Sequence, residues 1–274
     1  MSTSSYIFEG PDPDVILRAP LRPGLDKFKD FHVHKVILSI ASITFRDTFS
    51  IPQPPRHTPG DTTPDIVQVS DSANILEPFL QLIYPVDPPV IGSLWLMDGL
   101  FRLADKYATK GINTRLKKLL ISPSFLRDDP IGVFAIACHN TFDEEAKLAL
   151  PHTFTIDVVS QITAAVLRSM TTKTYHRLLT EHALRRKQLI GTLDGAWRSF
   201  RPGPQTPRCC CLERLEEKVH VRICGRPFLD SETLQNCFSL VEKSSGCASM
   251  LYCIKQPSRA SSFLSEVMGR IQAL

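Results

Sequence analysis

The chain of 274 residues has no long apolar run: the longest, such as Ile131–Cys138, fall far short of the ~20 residues a membrane-spanning helix requires. It also lacks an export signature, because Ser2–Gly10 has neither a basic start nor an apolar core. There is no Asn-x-Ser/Thr sequon. The eight cysteines are therefore expected as reduced thiols rather than a disulfide framework, and the chain is expected inside the cell, in cytoplasm or nucleus. Charge of one sign is scarce too. Thirty-two Lys and Arg against 28 Asp and Glu leave a net charge of +4, too mild to imply direct nucleic-acid binding or a membrane surface. Missing as well are G-x-S-x-G, the Walker loop, G-x-G-x-x-G and H-E-x-x-H. Glu144 and Glu145 are adjacent, so on a helix their side chains diverge instead of facing one substrate. No enzyme and no cofactor are expected.

What is present is ordinary globular composition, 43% hydrophobic and 22% charged, enough to bury a core without an external staple. The most informative stretch is Phe31–Ser50, FHVHKVILSIASITFRDTFS. Phe31 and Val33 alternate with His32 and His34, as in a strand. Val36, Ile37, Ile40, Ala41, Phe45 and Phe49 then recur at the three-and-four spacing of a helical face. A strand turning directly into an apolar helical pair must be covered by something, and Val36, Ile40, Phe45 and Phe49 are expected to form the core.

Upstream, Asp14–Arg18 reads as a short strand that pairs with the one at Phe31 in a hairpin, across an irregular connection with two prolines and a glycine. Pro52–Asp65 holds too many prolines for helix or central strand and reads as an exposed loop. Asp65–Ser70 suits a third strand. Ser72 is placed to cap a helix with Leu76, Phe79, Leu80 and Ile83 on one face, ending at Tyr84-Pro85. Helix resumes over Trp95–Tyr107, breaks at Gly111, and continues over Ile112–Leu120. Beyond Pro123 no strand pattern remains: short helical pieces at Ile131–Cys138, Glu144–Leu150 and Val158–Met170 lead to a stripe of Tyr175, Leu178, Leu179, His182, Arg186 and Leu189. Prolines at 202, 204 and 207 precede a tail that holds seven of the cysteines and closes with a helix using Phe263, Val267 and Ile271. The expected division is 1–122, 123–200 and 201–274.

The run from Asp14 to Ser122 resembles a BTB (POZ) domain. The resemblance rests on Asp14-Val15-Ile16-Leu17, on Phe31-His32-Val33-His34-Lys35, on Ala41-Ser42 with Phe45 and Phe49, and on the segments PDIVQVS, FLQLIYP and LADKYATKGI. The whole layout, with a helical extension and a cysteine-containing tail, is similar to fungal BTB proteins of about this size. The resemblance implies an α+β fold, a small sheet flanked by helical hairpins and followed by an all-α extension. It implies a non-enzymatic module that binds proteins, itself included, as a scaffold or adaptor. It also admits a substrate adaptor of a cullin-type ubiquitin ligase, or a transcriptional regulator working through partner proteins. Two features depart from the family pattern. Met1–Pro13 is too short and proline-broken for an exchanged amphipathic arm, and Ile51–Asp65 lacks the Glu of the cullin-adaptor motif.

Asp14 and Lys35 match family positions that form a charged pair beneath the surface groove, and a buried carboxylate needs such a partner. With His34, whose imidazole can bond the free backbone groups of a helix start, they are the candidate partner-binding residues. His32 and His34 lie on one strand face without a third ligand nearby, which favours a scaffold role over metal binding. Cys209, Cys210, Cys211, Cys247 and Cys253, with His220 near, leave zinc open beside the default of buried thiols. Their spacings include no C-x-x-C, and no metal site is assigned. The basic runs Arg115-Leu116-Lys117-Lys118 and Arg185-Arg186-Lys187 read as solvated helix faces.

Overall fold

The computed structural model describes residues 12–22, 27–51, 64–200, 210–230, 232–237 and 257–272. The chain forms two compact units, Met1–Asp128 and Asp129–Leu274, where the sequence had suggested three segments.

In the first unit β1 (Val15–Pro20) is the central strand of a three-stranded sheet, in the order β2-β1-β3. It pairs antiparallel with β2 (Phe28–Val33), Val15 opposite Val33, and parallel with β3 (Asp65–Gln68), Val15 opposite Asp65. β1 alternates strictly: Val15, Leu17 and Ala19 are buried while Ile16 and Arg18 are only partly covered, as a sheet with one face on the core requires. On the other face Arg18 donates two bonds to Asp30, Nε to Oδ1 at 2.8 Å and Nη2 to Oδ2 at 2.7 Å. That guanidinium holds the Asp30 carboxyl below the usual range.

After β2 come α1 (Lys35–Ala41) and α2 (Ile43–Ser50), then α3 (Ala73–Ile83), α4 (Leu94–Lys106), α5 (Lys110–Leu120) and α6 (Pro123–Asp128). Leu76, Phe79 and Leu80 of α3 and Met97, Leu100, Phe101 and Ala104 of α4 are buried. Gly99 permits the close approach of these two helices, since a Cβ there would stand 2.8 Å from Cδ1 of Ile75. Ser72 occupies the cap position of α3, but its hydroxyl donates to the Leu21 carbonyl at 3.2 Å instead of capping. The break before α5 falls not at Gly111 but at Ala108, whose φ is 52°. There Thr109 N–H donates to Ala104 O at 2.8 Å and Ala108 N–H to Asp105 O at 3.0 Å, the paired bonds that close a helix through a left-handed residue.

In the second unit α7 (Pro130–His139) is buried from Pro130 to Ala137 and packs on α8 (Asp143–Thr153). A helix covered on all sides shows no apolar stripe, which is why its sequence reads only as a short apolar run. Asp129 caps it by accepting from Gly132 N–H at 2.8 Å, with Pro130 at the first helical position. Its far end repeats the left-handed closure with a β-branched residue: Thr141 has φ 57°, and Phe142 N–H donates to Ala137 O at 2.8 Å. Two short helices, α9 (Val158–Gln161) and α10 (Ala164–Ser169), lead to the 29-residue α11 (Thr172–Phe200). Against α11 pack α12 (Cys210–Gly225) and α13 (Pro257–Gln272). Leu189, Leu193 and Ala196 of α11 are buried with Leu215, Val219 and Ile223 of α12 and Val267 and Ile271 of α13. This shared core makes 129–274 one unit rather than an extension plus a tail. Arg115 and Lys118 are exposed as expected, whereas Arg185 is half-buried with its guanidinium 5.8 Å from the Phe154 ring centre.

Candidate functional site

The strand-to-helix junction brings Asp14, His34 and Lys35 together, with bonds other than those expected. Asp14 lies just before β1 and Lys35 just after β2, and the antiparallel register sets these ends side by side. Asp14 Oδ1 accepts from the backbone N–H of Lys35 at 2.8 Å, so the carboxylate satisfies one of the free amides at the start of α1. The Lys35 ammonium turns away, to Asp65 Oδ2 at 2.8 Å. The ion pair is thus Lys35–Asp65, its side chains 34% and 35% exposed, and it ties α1 to the first residue of β3. A pair this exposed stabilises by only ~0.2–1 kcal/mol.

His34 sits at the cap position of α1, but its imidazole makes no bond to the free backbone groups of the helix start. Its backbone N–H donates to the Tyr84 hydroxyl at 2.8 Å, and its Nδ1 lies 3.3 Å from the same oxygen. Tyr84 is the residue that ends α3, and burial pushes its phenol up to about 12. From the sequence Tyr84 stands only as a helix stop and Asp65 only as the start of a strand, without its bond to Lys35. Both act through partners that only the topology supplies.

The core assignment needs correction at two of its four positions. Phe45 is buried at 3% and Phe49 is half-buried. Val36 and Ile40, however, are 63% and 82% exposed. The reason is Ser42. Its extended backbone ends α1 and starts α2, and its hydroxyl accepts from Phe45 N–H at 3.0 Å while donating to Tyr107 O at 2.5 Å. This break resets the helical phase, so the residues before it do not share a face with those after it. Leu38 is the side chain of α1 that reaches the core. The ring of Phe45 stacks on Tyr107 with centroids 4.5 Å apart, and Phe79 meets Tyr107 from the other element at 5.5 Å. Tyr107 in turn donates its hydroxyl to Asp71 Oδ2 at 2.6 Å, and burial beside that carboxylate raises its pKa.

The consequence is an apolar surface. Val36 and Ile40, one turn apart on α1, stand exposed together with Ile43, 43% exposed, at the start of α2. Beside the Lys35–Asp65 pair lies a cavity of about 180 Å³ lined by Lys35, Thr48, Phe49, Asp65, Ile66 and Val67. It is below the ~300–1,000 Å³ range of small-molecule sites. Ile66, 54% exposed, extends the apolar character onto β3. Exposed aliphatic side chains over a rigid, hydrogen-bonded base suit contact with another protein surface better than chemistry on a ligand.

The cysteine reading falls largely outside the described residues, which exclude Cys209, Cys247 and Cys253 and the side chains of Cys210 and Cys211. Cys138, Cys224 and Cys237 are free thiols, and burial raises the pKa of Cys138 and Cys237. Among the described residues no helix is long and apolar enough to cross a membrane.

Residues 25–124 match the family model of the BTB/POZ domain. The match takes in β2 through α5 and the first turn of α6 and leaves out β1, although β1 is the strand that joins β2 to β3. No curated protein sequence matches the chain.

Proposed function

Because the chain carries a BTB/POZ domain over residues 25–124, a protein-interaction module, we propose that it works as a self-associating scaffold whose contact surface is the exposed face of α1 and the start of α2. The observation that carries this reading is the exposure of Val36 and Ile40 at 63% and 82%. These are apolar side chains that the domain's own core does not use. Two-fold contact between copies would cover both at once, since such an interface presents the same patch from each side. The polar base beneath, Asp14 on the α1 amide and Lys35 on Asp65, fixes the direction of α1 and so the shape that the face offers. Asp14, His34 and Lys35 are on this reading positioning residues rather than contacts. Sedimentation of the full chain over a wide concentration range tests it: a concentration-dependent dimer is expected, and a strict monomer at the highest concentration reached overturns it.

A further inference from the structure

Outside the BTB/POZ domain, three side chains of metal-ligating type converge on the polar rim of the α11–α12 seam. Asp194 comes from α11; Glu216 and His220 come from α12, four residues apart and so on one helical face. One ligand atom from each lies within 4.8 Å of the others. His220 Nε2 is buried and has no hydrogen-bond partner among the described residues. Its nearest acidic oxygen, Asp194 Oδ1, is 3.6 Å away, too far for an N–H···O bond. That separation is close to what two ligands of one ion show: bonds of about 2.0–2.2 Å at a tetrahedral angle set their donor atoms about 3.3–3.5 Å apart. Opposite ligands of one such ion can stand up to ~4.2 Å apart, a span comparable with the 4.8 Å within which all three ligand atoms fall.

Arg198 Nε donates to the Asp194 main-chain oxygen at 3.1 Å, leaving the carboxylate unengaged by that bond, and Arg270, whose guanidinium approaches Gly195, is paired with Glu266 at 2.5 Å. We propose that Asp194, Glu216 and His220 bind a divalent first-row cation of the zinc type, which clamps α12 to α11 above the apolar seam of Leu193, Leu215 and Val219. Two carboxylate oxygens and one imidazole nitrogen suit such an ion, and three protein ligands leave a position for water.

The test uses the full chain, stripped with chelator and titrated with zinc or cobalt(II). One tight site per chain is expected, with a cobalt spectrum of nitrogen and oxygen ligation, no thiolate charge-transfer band, and a zinc-dependent rise in Tm. Asp194→Asn and His220→Gln keep side-chain shape and should each weaken binding by about tenfold or more, with helix content by circular dichroism as the folding control. Binding unchanged in both variants, or a thiolate band that places the ion on the tail cysteines, overturns the assignment. So does a wild-type chain with neither a cobalt d–d band nor a Tm response, an outcome that needs no variant to fold.

Discussion

Replacing Ile40 by Lys separates folding from association, because on the proposed reading the two effects have opposite signs. Ile40 is 82% exposed in the last turn of α1, so its removal takes little from the core. Lysine is a better helix former than isoleucine, and a cation near a helix C-terminus is favourable by ~0.3–1 kcal/mol. The Tm of the variant should therefore stay level or rise slightly. Association should fall. Full burial of an isoleucine stabilises by ~1.5–3 kcal/mol, so covering the exposed part of Ile40 contributes roughly 1–2.5 kcal/mol from each protomer of a two-fold contact. Losing roughly 2–5 kcal/mol per dimer weakens Kd by about 30-fold to several thousand-fold, before the cost of placing an ammonium in the contact. Sedimentation velocity on wild type and variant, with differential scanning calorimetry alongside, reads both quantities. Dissociation with an unchanged Tm is the expected result. A variant that associates as tightly as wild type would refute the α1 face as the contact, and one that loses both would show that Ile40 serves the fold.

Five further outcomes follow from named contacts. Ser42→Ala removes the donor to Tyr107 O and the acceptor of Phe45 N–H at a site only 1% exposed, and should cost about 2–4 kcal/mol in denaturant unfolding through two orphaned backbone groups; a loss within experimental error would show that water replaces the hydroxyl. Asp14→Ala should cost about 0.5–2 kcal/mol as the loss of a helix cap. A double-mutant cycle should find coupling of ~0.2–1 kcal/mol between Lys35 and Asp65 but none between Asp14 and the Lys35 side chain. Thr141→Gly relieves a β-branched residue held at φ 57° and should raise stability by about 1 kcal/mol, seen as a higher urea midpoint at unchanged m. His182 is 3% exposed, with Nε2 3.0 Å from Thr153 Oγ1, and burial lowers its pKa from 6.5 to about 4. The unfolded chain binds the extra proton between those values, so this contribution is complete above pH 6.5 and is lost as pH falls toward 4. It amounts to about 2–4 kcal/mol, and His182→Gln should flatten the fall of Tm over that window.

The elements with a strong period were legible from the sequence. β2 buries Phe31 and Val33 while His32 and His34 stay half-covered, and α3 buries Leu76, Phe79 and Leu80, as strict alternation and a three-and-four stripe require. Tertiary pairing was not legible. Nothing local to Asp65 says that it begins a strand parallel to β1, so its bond to Lys35 could not be read, and Asp14 took its place as the expected partner. The phase error at α1 has a local cause that the sequence does carry: Ser42 stands three residues before Phe45 inside an apolar helical pattern, the position of a helix cap. Read as a second helix start, it would have divided the stripe and left Val36 and Ile40 without a place in the core.

That misreading bears directly on function. With Ser42 fixed by Phe45 and Tyr107, and Phe45 stacked on Tyr107 against Phe79, the domain closes its core without Val36 or Ile40. Their side chains then contribute little to folding and leave apolar surface in water, which a chain selected for folding alone would lose readily. On the proposed reading the same two residues are what the contact between copies is made of, and Lys35 and Asp14, which hold the start of α1, set the angle at which they are offered. A loosened base with an intact face, as in Asp14→Ala, should therefore weaken association less than Ile40→Lys while lowering stability more. That inverse ordering across the two variants is the sharper discriminator, because a single effect on folding would move both measurements the same way.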